Sequence, residues 1–292
     1  MIGITCVMLG TTLFAAKGIV IKLAYFEGLT ASPLLMLRMT FALPFYAAMA
    51  LWVQRQNPVP LTRQQHLRIM ALGVLSYGVS SLFDFMGLQY ITAGLERVIL
   101  YVYPTLVLLM LAFWKKQIIL SRDKLALGIA YVGMLLVFVH DIQISGDWKT
   151  TLLGSFYVLI ATVTFALFVV LAGETIPKVG ATRFTAYAML SACTGVILFC
   201  VTKDGTGHFV QTPQVYMLVL ILAVFCTVIP SFLMNRGIAI VGSSKTAMLG
   251  SFGPVITLFL GAGLLDEALT LIQLAGAGLV IVGVALAGRQ NA

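Results

Sequence analysis

The chain has 292 residues, of which 60% are hydrophobic and 10% charged, with a net charge of +8 and a mean hydropathy of +1.04. A soluble globular chain runs at roughly 45–50% apolar and about 25% charged residues, so that class is excluded, and the apolar content and four cysteines exclude disordered, collagen-like and disulfide-scaffold chains as well. The basic residues are too scattered to form a nucleic-acid-binding face, which leaves a polytopic protein of the lipid bilayer.

A helix that spans the hydrocarbon needs about 20 apolar residues at 1.5 Å each. Runs of that kind between polar breaks predict ten transmembrane helices, at 3–24, 32–53, 67–88, 93–113, 125–140, 151–173, 183–202, 215–235, 244–264 and 271–288, and no strands. The first lacks a basic stretch before it and a small-residue cleavage site after it, so it reads as a retained helix rather than a signal peptide. The longest connection, from Gln54 to His66, holds Pro58 and Pro60 and is too short to be a domain.

Lys and Arg accumulate in cytoplasmic connections. With the N-terminus inside, the inner connections hold Arg55, Arg63, Arg68, Lys115, Lys116, Arg122, Lys124, Lys178, Arg183, Arg236, Lys245 and Arg289. The outer ones hold only Lys149 and Lys203, against Glu27, Asp141, Asp147, Asp204, Asp266 and Glu267. This asymmetry predicts a protein of the cytoplasmic (inner) membrane with both termini in the cytoplasm. Most of the net positive charge is therefore an orientation signal and says nothing about partners.

Shifted by 150 residues, the chain matches itself at Ser81 and Ser231, Gly87 and Gly237, Pro104 and Pro254, Gly128 and Gly278, and Gly133 and Gly283, besides several apolar positions. Five spans per unit is odd, so the second copy must enter the membrane upside down. The charges agree: Lys115-Lys116 follow the fourth span, whereas Asp266-Glu267 follow the ninth. Two inverted five-helix repeats, 1–145 and 146–292, are expected, an organisation typical of secondary transporters that rock two halves about a midplane site.

Further residues carry a family resemblance. They are Ile21-Lys22, Ser32-Pro33 with Arg38, and the run Gly87-Leu88-Gln89-Tyr90-Ile91-Thr92-Ala93 leading to Tyr103-Pro104. The second half supplies Gly237-Ile238-Ala239, Gly253-Pro254, Asp266-Glu267-Ala268-Leu269-Thr270 and Gln273-Leu274-Ala275-Gly276-Ala277 with Gly283. In their order and spacing the chain resembles the drug/metabolite transporter superfamily, specifically its EamA-type ten-helix group; Lys115-Lys116-Gln117 departs from it where an acidic residue is common. The resemblance implies peripheral fifth and tenth helices and a cavity lined by the first, third, fourth, sixth, eighth and ninth. It also implies export or exchange of amino acids, nucleosides or other small metabolites.

Ionisable groups inside the hydrocarbon are costly and are functional candidates by default. Six fall within the predicted spans: Lys17, Lys22, Arg38, Asp84, Glu96 and Arg97, an excess of two positive charges. Lys22 and Glu96 lie near span ends and are expected to snorkel to the interface. Lys17 is about 10 Å below its helix end, too deep to reach water without a cavity, and Arg38 is similarly deep, with Asp84 as a candidate structural partner. The excess charge points to a carboxylate or other anionic group as cargo. On the third span Tyr77, Ser81 and Asp84 or Phe85 share a face, with Thr227, Ser231 and Asn235 as repeat equivalents on the eighth. Arg97, Tyr101 and Pro104 form a stripe on the fourth, matched by Ala247, Ser251 and Pro254 on the ninth; Phe14 faces the site with Lys17, and Phe165 corresponds on the sixth. The candidate substrate-binding set is thus Phe14, Lys17, Arg38, Tyr77, Ser81, Asp84, Arg97, Tyr101, Phe165, Thr227, Ser231, Asn235 and Ser251. Any single Ser, Thr or Asn would serve as well to bond helices together.

Pro104 and Pro254 each remove a helix hydrogen bond deep in the membrane and are candidate hinges, although kinks that merely make room would look the same. Gly276, Gly278 and Gly283, with Gly128 and Gly133, read as small-residue packing faces on the tenth and fifth helices, which suits a monomer and leaves a dimer open. His66, His140 and His208 make no metal-ligand spacing, and Cys6, Cys193, Cys200 and Cys226 read as core thiols. No P-loop, dinucleotide fingerprint or nucleophile elbow occurs, so no cofactor and no enzyme activity is expected. The leading expectation is an alternating-access secondary transporter for a small, carboxylate-bearing or amino-acid-like metabolite, with Asp84 as the candidate proton carrier. A membrane enzyme or a non-catalytic scaffold subunit are the alternatives; a scaffold predicts that Lys17, Tyr77, Asp84, Tyr101 and Asn235 do not converge.

Overall fold

A computed structural model of the chain describes residues 2–56, 60–114, 121–145, 147–205, 207–267 and 270–288. Lys115, Lys116, Gln117, Ala268, Leu269 and Arg289 lie outside the described residues, as do the side chains of His208, Ser251 and Arg122. Among the described residues the fold is all helical. Seven helices are long and apolar enough to cross a bilayer: α1 (Ile2–Phe26), α2 (Ala31–Gln56), α3 (Arg63–Leu88), α4 (Ala93–Trp114), α6 (Trp148–Val179), α7 (Ala181–Asp204) and α8 (Pro213–Ser243). Three further helices, α5 (Ser121–Ser145), α9 (Gly253–Leu264) and α10 (Leu271–Gly288), carry shorter apolar stretches. Phe113, Leu125, Phe156, Leu198, Met217 and Phe259 point outward. So continuous an apolar exterior suits lipid and not water, and the molecule is a multi-pass membrane protein.

Inside the bundle α2 packs on α7, α1 on the second half of α8, and α3 on α6 and α7, while α5 and α10 form a pair. That pair is close because each helix places a glycine against the backbone of the other, Gly133 against Gly276. A Cβ on Gly133 would lie 2.8 Å from Leu279 Cβ, and one on Gly276 would lie 2.7 Å from the Gly133 carbonyl oxygen. A Cβ on Gly128 or Gly278, expected on the same face, would meet none of the described residues within 4 Å. Gly276→Val is therefore expected to force the pair apart and lower stability by about 1–3 kcal/mol, read as thermal unfolding in detergent, while Gly278→Ala should leave the transition unmoved. Between α6 and α7 a single residue, Gly180 at φ 85°, reverses the chain in a region that side chains rarely enter. Asp147 caps α6 by accepting from the Lys149 and Thr150 amides at 3.0 and 3.4 Å. Hydrogen bonds from Thr150 hold the Asp147 carboxyl below the ordinary carboxylate range. Its stabilisation is thus present above the unfolded-chain pKa and fades as pH falls through the lower folded one.

Four irregularities interrupt these helices where they face the bundle centre. α1 is distorted at Ala16, and the helix resumes at Lys17. α3 widens to a π-helix over Val74–Ser80, and α8 does the same over Val224–Val228. α4 breaks after Leu100 and restarts at Tyr103, so Pro104 sits in the first turn of the new segment, where its missing N–H costs nothing. At the end of α8 the backbone leaves helical geometry at Gly242, and helix continues from there to Leu249. A 3-10 turn at Gly250–Phe252 then leads into α9, with Pro254 again in the first turn. Both prolines thus follow a break already made by the chain; neither kinks a continuous helix. Pro44 and Pro177, by contrast, lie inside uninterrupted helices.

Candidate functional site

The interrupted helices surround one cavity. Ten of the sequence-predicted residues line it: Phe14, Lys17, Arg38, Tyr77, Ser81, Asp84, Arg97, Tyr101, Phe165 and Thr227. Thr11, Ser76, Ser80, Leu100, Tyr103 and Met234 complete the wall. About 80 Å³ of the space is open to the centre of a water molecule, room for roughly five to eight waters. The occupant it could take is a small molecule.

Charge dominates one side. Lys17 Nζ donates to Asp84 Oδ2 at 2.6 Å, and the two side chains are 12% and 2% exposed. Arg97 donates from Nη2 to the Phe14 carbonyl at 2.8 Å, directly before the distortion in α1, and its Nε lies 3.5 Å from Glu96 Oε2. The Ala15 carbonyl at the same distortion accepts from Thr257 Oγ1 at 3.0 Å. Glu96, expected at the interface, is instead fully buried against Gly18 and Arg97. The N-terminus of α4 explains this, because two other carboxylates already occupy its end. Glu267 accepts from the Ala93 and Gly94 amides at 3.0 and 3.4 Å, and Asp141 from the Thr92 hydroxyl at 2.9 Å. Glu96, one turn in, faces the bundle. Lys22 is part-buried near the same end, with Glu267, Asp141 and Glu96 as its charged neighbours.

Arg38 is 2% exposed, and its guanidinium lies 4.7 Å from the centre of the Phe85 ring. The expected ion pair with Asp84 does not form, since Lys17 takes that carboxylate. Among the described residues Arg38 Nε and Nη2 have no hydrogen-bond partner, nor do Asp84 Oδ1 and the Ser76 hydroxyl. The other side of the cavity is aromatic. Tyr101, Tyr103, Phe165 and Phe168 follow one another with ring centres 5.1–6.0 Å apart, and Tyr77 meets Phe168 edge-on at 5.9 Å.

Two predicted residues stand elsewhere. Ser231 pairs with Tyr46 Oη at 2.9 Å, and Asn235 donates to Thr185 Oγ1 at 2.9 Å; both bond helices together away from the cavity wall. Ser231 is engaged by Tyr46 and by the Val228 carbonyl; for Asn235 the reason is helical phase. At 100° per residue, the seventh residue on from a lining position returns to within 20° of it, whereas the eighth is 80° round. Asp84 and Met234 stand at the seventh place from Tyr77 and Thr227 and line the cavity; Phe85 and Asn235 stand at the eighth and do not. Ser76 and Ser80 were missed because the π-helical turn widens the lining face to include the residue before each of Tyr77 and Ser81. The two α4–α9 breaks meet at this level. A Cβ on Gly253 would collide with the hydroxyl end of Tyr101, and Tyr103 Oη donates to the Ala247 carbonyl at 3.4 Å.

The protein is thus a multi-pass helical bundle around a small cavity lined by charged and aromatic side chains. Comparison with known proteins agrees. The model of the EamA-like transporter family matches residues 1–139 and 152–289. The chain is 30% identical over 287 residues to the "Uncharacterized transporter YcbK" of Bacillus subtilis, covering 94% of this chain and 89% of that protein. It is 22% identical to the "Uncharacterized transporter sll1319" of Synechocystis, over 100% of this chain and 94% of that one. A solved crystal structure with 15% identity superposes with a TM-score of 0.67 over 97% of this chain and 96% of its own, a likeness of fold. The chain belongs to the EamA-like transporter family, within the drug/metabolite transporter superfamily, and is a membrane transporter.

Proposed function

We propose that this protein is a secondary transporter of ten spans, arranged as two inverted five-helix halves over 1–145 and 146–292, that moves a small carboxylate-bearing or amino-acid-like metabolite across the cytoplasmic membrane by alternating access. Both termini face the cytoplasm in this reading. In its support, the π-helical segments begin 150 residues apart, at Val74 and Val224, and so do the prolines that follow the broken turns, Pro104 and Pro254. The breaks beside those prolines are the joints about which the halves would rock.

The observation that carries the substrate class is Arg38. The Nε and Nη2 of a guanidinium lie on the same edge and form the fork that grips a carboxylate with two parallel bonds. Here both donors of that edge are buried and have no partner among the described residues, on a residue that lines the cavity. A buried cation with unused donors is expensive unless something completes it, and a substrate carboxylate would. Asp84, joined to Lys17 through one oxygen only, is the group through which protons would couple.

The test is flux in proteoliposomes of the full chain against a panel of labelled amino acids, 2-oxo acids, nucleosides and cationic drugs, with and without a pH gradient. The reading expects saturable flux of at least one carboxylate-bearing compound, lost in Arg38→Ala. Flux of the cationic or neutral compounds alone would defeat the substrate class, and no flux of any compound would favour the scaffold alternative. Acceleration by the gradient, abolished in Asp84→Asn, would assign the proton coupling; indifference to it would make the protein an exchanger or facilitator.

A further inference from the structure

We propose that Glu96 is the resting place of a proton in this site: its carboxyl is un-ionised at neutral pH and donates to the Asp84 carboxylate, so the two acids hold one proton between them. This rests on the transporter reading above and deepens it, because it moves the proton from the cavity wall to the residue behind it. Glu96 is fully buried, and among the described residues neither of its carboxyl oxygens has a hydrogen-bond donor. Asp84 is buried too, with Oδ2 on Lys17 and Oδ1 without a donor. The two carboxyls lie within hydrogen-bonding reach of each other. Two ionised carboxylates so placed would repel and offer each other only lone pairs. A single proton turns the same contact into a charge-assisted O–H···O bond and supplies the missing donor.

The surroundings decide which acid carries it. Lys17 donates to Asp84 at 2.6 Å and holds the negative charge there. Arg97 stands 3.5 Å from Glu96 without a hydrogen bond, and it spends Nη2 on the Phe14 carbonyl. The other charged or titratable groups about Glu96 are Lys22 on α1 and Tyr101 on α4, with Asp141 and Glu267 beyond them at the α4 N-terminus. α9 and α10 carry none, and α6 has charged residues only near its ends, at Lys149, Glu174 and Lys178. Of the two acids, only Asp84 lines the cavity. The proton therefore leaves by way of Asp84: Glu96 passes it to the Asp84 carboxylate, and Asp84 releases it to the water of the cavity. What remains is two facing carboxylates, whose repulsion bears on α3 and α4 together.

Infrared spectroscopy reads such a proton directly. The full chain, isotope-labelled at the side-chain carboxyl carbon of glutamate, is measured in a maltoside detergent, which has no carbonyl of its own. The glutamates are Glu27, Glu96, Glu174 and Glu267. Glu27 and Glu174 are exposed, and Glu267 accepts from the Ala93 and Gly94 amides. The expected result near neutral pH is one label-shifted carboxylic-acid carbonyl band, lost in Glu96→Gln and displaced in Asp84→Asn, which removes the charged acceptor. No such band in the native protein, or one that survives Glu96→Gln, overturns the proposal, and a band that Asp84→Asn leaves in place overturns the pairing. If neither variant folds, the native spectrum decides alone. In proteoliposomes, native flux should follow pH over the range in which the band disappears, and flux through Glu96→Gln should not. A native flux indifferent to pH over that range, or an unchanged pH profile in the variant, overturns the role of the pair in coupling. The band is read without transport, so a chain that moves nothing would defeat the transporter reading and leave the proton in place.

Discussion

Lys17→Met is expected to lower the stability of the folded chain by about 3 kcal/mol, the low end of the penalty for stripping a buried ion of its partner. The low end applies because Lys17 keeps 12% exposure onto the cavity, whereas Asp84 is 2% exposed and would be left with no cation bonded to it among the described residues. The double variant Lys17→Met with Asp84→Asn should recover most of the loss, because it removes both charges together, and the non-additivity of the cycle is the diagnostic quantity. Thermal or denaturant unfolding of the three variants in detergent gives it. A Lys17→Met protein as stable as the native one, or a double variant no better than the single, would mean that the pair is hydrated and contributes little.

The second large effect is expected at Gly253. α4 and α9 cross at their breaks with the Tyr101 ring lying where a Gly253 side chain would be. Gly253→Val must therefore push Tyr101 into the cavity or separate the two helices. Overpacking of this kind costs about 1–3 kcal/mol, and here it also fills the space a substrate needs, so flux should fall below about a tenth of native. Tyr101→Ala added to Gly253→Val restores the room and should restore stability, though not flux if the Tyr101 ring contacts the substrate. Native flux in Gly253→Val alone would show that the crossing is loose.

Much of this architecture can be read from the sequence because hydrophobic length is a strong signal and buried charge is a rare one. Lys17, Arg38, Asp84 and Arg97 stand out against apolar surroundings, and the structure gathers all four around one space. What could not be read was which of two neighbours on a helix faces that space. Asn235 carries the right chemistry, but the phase that excludes it depends on where the π-helical turns fall, and Val74–Ser80 and Val224–Val228 have no distinctive composition; Ser231 is engaged by Tyr46, remote in sequence. Glu96 was misjudged for a related reason. Its distance along the helix from the end is short, but Glu267 and Asp141, remote in sequence, already occupy that end. Long-range competition for one helix terminus leaves no local trace.

The five central charges all fall within the first 97 residues, on α1 to α4. A ribosome completes them before any residue of α6 or α8 exists. An unpaired carboxylate or guanidinium entering the bilayer is held back by its insertion cost, and Lys17 can meet Asp84, and Arg97 meet Glu96, while the chain is only a third made. Among the described residues of the second half, the cavity receives Phe165, Thr227 and Met234, none of which carries a charge to be sheltered. The electrostatically difficult half of assembly is thus finished first, and the remainder of the chain closes over a core whose charges are already in place.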